Sequence, residues 1–595
     1  MFWDCFYHSS HSNWAYAYDA ETVHLRVRTK RDDIDSVTAV TGDKYDWERN
    51  RADIPMEKVF ADPMFDYWEA AVRPPFRRLS YCFRMQAGDE TAWLTEAGPR
   101  GDEPQGCDGF FDFPYIHEID LGTPPEWAKE AVFYQIVPDR FANSNPDNDA
   151  DDVTPWGEKP DAYRTFGGDL QGIIDKLDYL GELGVTAIYL TPIFESPSCH
   201  KYDTVDYRKV DPRFGDEKLL KRLVDDCHRR GIRVMLDGAF NHSSEHFFAF
   251  RDVVEKGDQS AYKDWYHVRS FPIEVKDGIP SYDTFGFFGH MPKLNTAHPE
   301  VRDYLLESAA YWLRDIGIDG WRLDAANEVD HHFWRHFRRM VKDINPDAYI
   351  VGEVWNDSLK WLLGDQFDSV MNYPFSRSAM GYFSPAGMDG HTFAGSIGSL
   401  LVRYPQQKNE VIFNLLCSHD TPRLHDCVGM DKRRVKLAVV FLMTYIGTPC
   451  IFYGDEIGLT GADNLECRKC MEWDPAKQDR ELFDFYRLLI ALRKEHPALR
   501  RGRFRFLKAD RDDSRIVYER LDEGQHFVVW MNNTEEPTTL SHPMETDDWR
   551  DALSGEAAPA ADGRMDIELE PLGYRILYRN LTGEGGGRNG TEAGH

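Results

Sequence analysis

Positive charge is what this chain has least of relative to its size. Of 595 residues, 70 are Lys or Arg and 101 are Asp or Glu, a formal net charge of −31. A phosphate-binding surface needs clustered Lys and Arg, and none is clustered here, which argues against nucleic acid or an anionic membrane as partner. Long apolar runs are also missing. The longest, Leu437 to Tyr453, is interrupted by Thr444, Gly447, Thr448 and Pro449 and is short for a span. The start, MFWDCFYHSSHSNW, has Asp4 but no basic region and no continuous apolar core, so it does not read as a secretory leader. Cysteine is sparse: ten residues are too few for a disulfide scaffold and fit a reducing cytoplasm. The CxxC spacing from Cys467 to Cys470 has no second Cys or His pair to complete a four-ligand zinc site. These absences leave a neutral substrate open.

What is present falls into three composition regimes, for a length that suggests roughly four domains. Residues 1–124 alternate with period two, as in Val23, Leu25 and Val27 against His24, Arg26 and Arg28, with turns at Gly42-Asp43 and Gly88-Asp89. That pattern predicts half-buried antiparallel strands in an N-terminal β-sandwich, closed by the stiff Gly122-Thr-Pro-Pro125 boundary. From about 125 to 503, short apolar runs alternate with helical stripes. Leu170, Ile173, Ile174, Leu177 and Leu180 form one stripe, Leu219, Leu220, Leu223, Val224 and Cys227 a second, and Val301, Leu305, Ser308 and Trp312 a third. Each is followed by a glycine (Gly184, Gly231, Gly317) and then a strand-like run. The strand-like runs are AVFYQIVPDRF, VTAIYLTPIF, IRVMLDGAF, IDGWRLD, AYIVGEVW, SVMNYPF, IFNLLCSHD and CIFYGDEIG. Eight βα units predict an α/β fold, a (β/α)8 TIM barrel over residues 125–242 and 298–503. Residues 243–297 are far too long for an ordinary βα loop and read as a subdomain inserted after strand 3. Alternation returns from 504 to 582 as a C-terminal β-sandwich, and residues 583–595 read as a flexible tail.

Barrel enzymes carry their chemistry at the C-terminal ends of the strands. Those ends hold Asp237, Asn241 and His242 (strand 3), Arg322 and Asp324 (strand 4), Glu353 (strand 5), and His419 and Asp420 (strand 7). Any one acid there could be a structural ion-pair partner. Several converging carboxylates, with no thiol or Ser/His/Asp set, point to glycoside hydrolysis by a carboxylate nucleophile and a carboxylic acid. Arg322, two residues before Asp324 on one strand, faces the same side and favours its ionised form. Like charge from Asp324 and Asp420, with Trp355 nearby, would favour a protonated Glu353.

The motifs DGAFNH (237–242), GWRLDAANEV (320–329), GEVW (352–355) and SHD (418–420), with MPKLN (291–295), GGDL (167–170) and GDEIG (454–458), come in a familiar order. The chain resembles the α-amylase family (glycoside hydrolase family 13), in its cyclomaltodextrinase/neopullulanase/maltogenic amylase branch, across the barrel and both sandwiches. Ala239 and Ala325 replace commoner valines and leave every role intact. The resemblance implies Asp324 as nucleophile, Glu353 as acid/base and Asp420 as stabiliser of the oxocarbenium-like transition state. It implies His242 and His419 as ligands to hydroxyls of the cleaved ring, Tyr202 with Asp203 as an aromatic platform and its acid, and Arg322 beside them. Glu328 matches a position associated with transfer to sugar acceptors, or is a structural carboxylate at a helix start. Asn143, Asn145, Asn148 and Asp149 lie in an oxygen-rich loop without the EF-hand pattern. By resemblance this loop, with Gly167 and Asp169, would hold a structural Ca2+; the other reading is a solvated acidic loop.

The expectation is therefore a cytoplasmic, retaining hydrolase of α-1,4 bonds in cyclodextrins, pullulan and short maltodextrins, with some transglycosylation. Its partners would be neutral α-glucan oligosaccharides and a second copy of the chain, the N-terminal sandwich (starch-binding-like) mediating a homodimer. The alternatives are a branching or glucanotransferase enzyme, or a non-catalytic carbohydrate-binding homologue.

Overall fold

The computed structural model describes every residue except 108, 545–547, 559 and 582–595. The expected tail at 583–595 lies outside the described residues.

Eight parallel strands form the centre: Phe133–Ile136, Ala187–Leu190, Arg233–Gly238, Gly320–Leu323, Tyr349–Gly352, Ser369–Val370, Phe413–Leu415 and Thr448–Phe452. Numbered one to eight along the chain, they lie in the order 6-5-4-3-2-1-8-7. A parallel bridge from Met371 to Phe413 joins strands 6 and 7 and closes the barrel. Alternation sorts the side chains. Phe133, Tyr189, Met235, Tyr349, Val351 and Phe413 fill the interior, while Tyr134, Ile188, Leu190, Val234, Leu236 and Ile350 pack outward under the helices. Residues buried on both faces explain why these strands read as continuous apolar runs.

Three of the helices start on carboxylate caps: Asp216 accepts from Leu219 N, Asp330 from Phe333 N and Asp479 from Leu482 N. The stripe expected from Leu170 to Leu180 is two helices rather than one, Leu170–Asp175 and Leu177–Leu183, broken at Lys176. Its apolar spacing continues through the break, because both pieces bury the same face. Gly184, Gly231 and Gly317 all have positive φ, the left-handed stop each helix needs. The segment after strand 3 holds the helix Phe248–Lys256 and folds back so that His242 bridges Lys293.

The N-terminal sandwich packs a four-stranded sheet on a six-stranded one, around Leu25, Val27, Trp68, Tyr81, Phe83 and Met85. Arg26 departs from the simple alternation. It is only 2% exposed, because the outer face of its sheet docks on the barrel domain. There Arg26 pairs with Glu69 at 2.6 Å and donates to Val402 O, and the Tyr18 hydroxyl donates to Glu410. The linker crosses this seam at Gly122, where an added methyl would lie 2.2 Å from Gly364 Cα. At the other end, Arg503–Ala509, Arg515–Leu521, Gln525–Asn532 and Tyr574–Asn580 form most of a five-stranded sheet, faced by the pair Thr538–Pro543 and Arg564–Leu569.

Candidate active site

Strands 3, 4 and 5 are neighbours, so their C-terminal ends put Asp237, Arg322, Asp324 and Glu353 together. Backbone bonds extend the ladder past the strand ends: Asp324 N donates to Gly238 O and Glu353 N to Leu323 O. The fully buried Arg322 guanidinium sits at the centre. Its Nη1 donates to Asp324 Oδ1 at 2.8 Å and to Asp237 Oδ1 at 3.0 Å. Its Nη2 lies 3.0 Å from Glu353 Oε1, an ion pair off the hydrogen-bond direction. One guanidinium thus holds the expected nucleophile and the expected acid within its own reach. Asp237 is a buried support: it also accepts from the Tyr189 and Tyr202 hydroxyls, at 2.5 and 2.9 Å. Burial lifts its carboxyl to about 6.

Three carboxyls around one cation leave excess negative charge. Burial first, then the Glu353 charge, push the Asp324 carboxyl well above its ordinary range, against the pull of Arg322. Glu353 accepts from Ala325 N at 2.9 Å and Trp355 Nε1 at 3.1 Å. Ala325 reaches that position with φ +44, a left-handed conformation rare for a residue with a side chain.

Asp420 lies across the mouth, its side chain 27% exposed. Its Oδ2 is 3.1 Å from His419 Nε2, and its Oδ1 accepts from Arg468 Nη2 at 3.1 Å. His419 is buried between Gln135 Nε2 (2.6 Å, on Nδ1) and the Tyr202 hydroxyl (2.6 Å, on Nε2). An amide donor on Nδ1 leaves the ring proton on Nε2, facing the mouth. Burial, then Arg468 and Arg322, hold its pKa well below the usual range, so the ring is neutral. Tyr202 stacks on it at 5.7 Å and 8°. His242 is buried, with Nε2 unpartnered, and burial lowers its pKa to about 3. A neutral imidazole with a free ring nitrogen is suited to a sugar hydroxyl. Asp203 accepts from Ser196 and Ser198, which fixes the loop carrying Tyr202. Glu328 stands apart from this group, half-exposed on the rim, 3.6 Å from Lys293 of MPKLN.

Two contributors, Arg468 and Gln135, escaped the sequence reading. Arg468, inside the Cys467–Cys470 spacing, also donates to His419 O at 2.7 Å, so that motif braces Asp420. Gln135 sets the His419 tautomer from strand 1. Trp355 stacks face to face on Tyr373 at 3.7 Å and 3°, a flat wall beside Glu353. Only Trp355 carried a signal, its place next to the acid.

At the oxygen-rich loop, Asn143 Nδ2 donates to both Asp149 oxygens, at 3.0 and 2.9 Å. A methyl on Gly167 would lie 2.2 Å from Asp149 Oδ1, so these three residues converge. Asn143 Oδ1 and Asn148 Oδ1 are buried without partners. Amide and carboxylate oxygens of this kind fit a hard cation such as Ca2+. Asp169 caps the helix Leu170–Asp175 through Gly172 N and also accepts from Ser144 N and Asn145 N. Asn145 contributes that backbone bond. Among the described residues, no three His, Cys, Asp or Glu side chains form a metal cluster.

Three family models match: the alpha amylase N-terminal ig-like domain over residues 1–117, the alpha amylase catalytic domain over 135–475 and the maltogenic amylase C-terminal domain over 504–576. A cyclomaltodextrinase of a Bacillus species is 53% identical over 541 residues, covering 91% of this chain and 97% of the relative. Neopullulanase 2 of Thermoactinomyces vulgaris is 43% identical, covering 97% of this chain and 100% of the relative. A solved cyclomaltodextrinase structure superposes with a TM-score of 0.94 at 50% identity, covering 97% of this chain and 100% of that one. Strand-end carboxylates on one arginine, the three domains and these likenesses agree: the chain belongs to the α-amylase family of glycoside hydrolases, in its cyclomaltodextrinase, neopullulanase and maltogenic amylase branch.

Proposed function

We propose that the enzyme hydrolyses α-1,4-glucosidic bonds in cyclodextrins, pullulan and short maltodextrins with retention of configuration, and transfers glucosyl units as a side reaction. The observation that carries this reading is the Arg322-centred pair, Asp324 and Glu353, at the barrel mouth. Glu353 delivers a proton to the leaving glucosidic oxygen while Asp324 forms a bond to the anomeric carbon. Glu353 then takes a proton from water, or from a sugar hydroxyl, that displaces Asp324. This order requires Glu353 to carry a proton and Asp324 to be ionised when the bond breaks. Asp420 and the neutral His419 and His242 hold hydroxyls of the ring being cleaved. Glu328, half-exposed beside Lys293, would meet an acceptor sugar. Proton NMR of the first product anomer tests the stereochemistry, and kcat/KM on cyclodextrin, pullulan and starch side by side ranks the substrates. An initial β-anomer would overturn the reading.

A homodimer and a structural Ca2+ complete it. Two exposed aromatic patches support the dimer. Tyr45 (76% exposed) and Phe76, around Arg78, lie on the N-terminal sandwich, and Phe287 (84% exposed) and Phe288 lie on the insertion near the mouth. Apposing such patches between copies would narrow the cleft for small rings and exclude bulky starch. Asn143, Asn145, Asn148, Asp149, Asp169 and the Gly167 carbonyl would ligate Ca2+, and the orphaned amide oxygens of Asn143 and Asn148 support this. The ion would brace the loop after strand 1 and take no part in the chemistry. A 46% identical relative of Bacillus subtilis, named an intracellular maltogenic amylase, supports a cytoplasmic location; among the described residues, no helix is long and apolar enough to cross a membrane.

A further inference from the structure

The loop after strand 8 is irregular where it carries Arg468. Among the described residues between Ile457 and Arg480, the three-residue turn Glu466–Arg468 is the one regular element. A backbone with no ladder to join must still place its carbonyls. Three consecutive ones go to buried side chains from other segments. Arg423 Nε donates to Cys467 O at 2.8 Å, Arg140 Nη1 to Arg468 O at 3.2 Å and the Tyr453 hydroxyl to Lys469 O at 2.5 Å. Arg423 and Tyr453 are fully buried and Arg140 is 3% exposed, so water replaces these bonds poorly. Each cation has its own carboxylate, Asp455 at 2.9 Å from Arg423 and Asp139 at 2.5 Å from Arg140, which offsets the cost of burying it. Met471 N donates back to Arg140 O at 2.8 Å. The other arm of Arg140 reaches across to a second segment: Nη2 donates to Arg164 O at 2.7 Å, and the guanidinium lies 4.5 Å over the Phe166 ring. Arg140 thus ties the segments after strands 1 and 8 together, and it lines the cavity they share with Tyr202 and His419. Arg468 carries this fixation to the chemistry, because its fork bonds Asp420 Oδ1 and His419 O. A guanidinium holds an acid only as firmly as its own backbone is held.

We propose that Arg140 and Tyr453 are positioning residues for the reaction, holding the backbone around Arg468 so that its fork stays on Asp420. The inference rests on Asp420 as stabiliser of the transition state. The test is a pair of double-mutant cycles. Tyr453→Phe and Arg140→Met are made in the parent enzyme and in Arg468→Met. For each, kcat and KM are measured on maltotriose, with the melting temperature as the control for folding. In the parent, kcat should fall about fivefold for Tyr453→Phe and about tenfold or more for Arg140→Met, the sizes of one neutral and one charge-assisted hydrogen bond, with KM little changed. In Arg468→Met the same substitutions should cost less than about twofold, because the side chain they aim is gone. If Arg140→Met fails to fold around the uncovered Asp139 carboxylate, Asp139→Asn/Arg140→Met, which removes both charges, takes its place. Equal losses with and without Arg468, or folded variants within about twofold of the parent, would overturn the inference. A wrong reading of Asp420 shows separately, as an Arg468→Met enzyme that is itself unimpaired, and would overturn the inference as well.

Discussion

Replacing Arg468 should cost the enzyme about thirtyfold in kcat/KM, and the reason lies in two hydrogen bonds. Arg468 Nη2 donates to Asp420 Oδ1 at 3.1 Å and Nε to His419 O at 2.7 Å, so one side chain fixes both the acid and the backbone that carries it. Both side chains are mostly covered, 20% and 27% exposed, so water replaces the contact poorly. A hydrogen bond to a charged group contributes ~1.5–3 kcal/mol. Taking about 2 kcal/mol, and about 1.4 kcal/mol per decade, gives roughly thirtyfold. The loss should fall mainly on kcat, because Asp420 meets the ring most strongly as positive charge develops on it. Arg468→Met is assayed on maltotriose and on γ-cyclodextrin, with the melting temperature as a control for folding. Arg468→Lys should recover only part of the loss, since an ammonium cannot span the two acceptors as the planar fork does. A folded Arg468→Met enzyme within threefold of the parent on both substrates would refute this account of Asp420.

The remaining predictions concern stability and assembly. Glu456 is buried under the Tyr134 and Tyr179 hydroxyls, and burial lifts its pKa from an ordinary 4.5 to about 7. Between those values the unfolded chain is ionised while the folded one keeps its proton, so stability falls as pH rises from 5 to 8, by at most about 3 kcal/mol. Glu456→Gln should therefore gain on the parent across that window, whatever its fixed cost at Gly454 N; parallel curves of melting temperature against pH would reject the buried acid. Excess chelator should lower the melting temperature of the parent and leave Asn148→Ala unaffected; an unchanged parent curve, with no metal by elemental analysis, would reject Ca2+ at the loop. The Tyr45→Asp/Phe76→Asp double variant should run as a monomer by light scattering and lose preference for cyclodextrin over starch. An unaltered mass would place the interface elsewhere.

The barrel was legible because a parallel strand buried on both faces leaves an apolar run, and a helix beside it leaves a stripe that ends in glycine. The carboxylates at the strand ends were legible for the same reason: once the strands are counted, topology alone brings 3, 4 and 5 together. Contacts between distant segments were not legible. Arg468 meets Asp420 across 48 residues, and its CxxC setting, which lacks the partners of a zinc site, gave no sign of that role. Arg26 alternates like a solvent-facing residue and is buried because a second domain covers its sheet. The break at Lys176 keeps the apolar spacing on both sides, so periodicity cannot register it. Ala325 N reaches Glu353 through a left-handed turn, which no local pattern announces.

The central claim is that Asp324 is the nucleophile and Glu353 the acid/base, and trapping tests it most directly. Glu353→Gln is mixed with α-maltosyl fluoride, whose leaving group needs no proton, so the first step proceeds and the second stalls. Peptide mapping by mass spectrometry should then find a maltosyl ester on Asp324. An ester on Asp420 or another carboxylate, or turnover to inverted product with no adduct, would contradict the account.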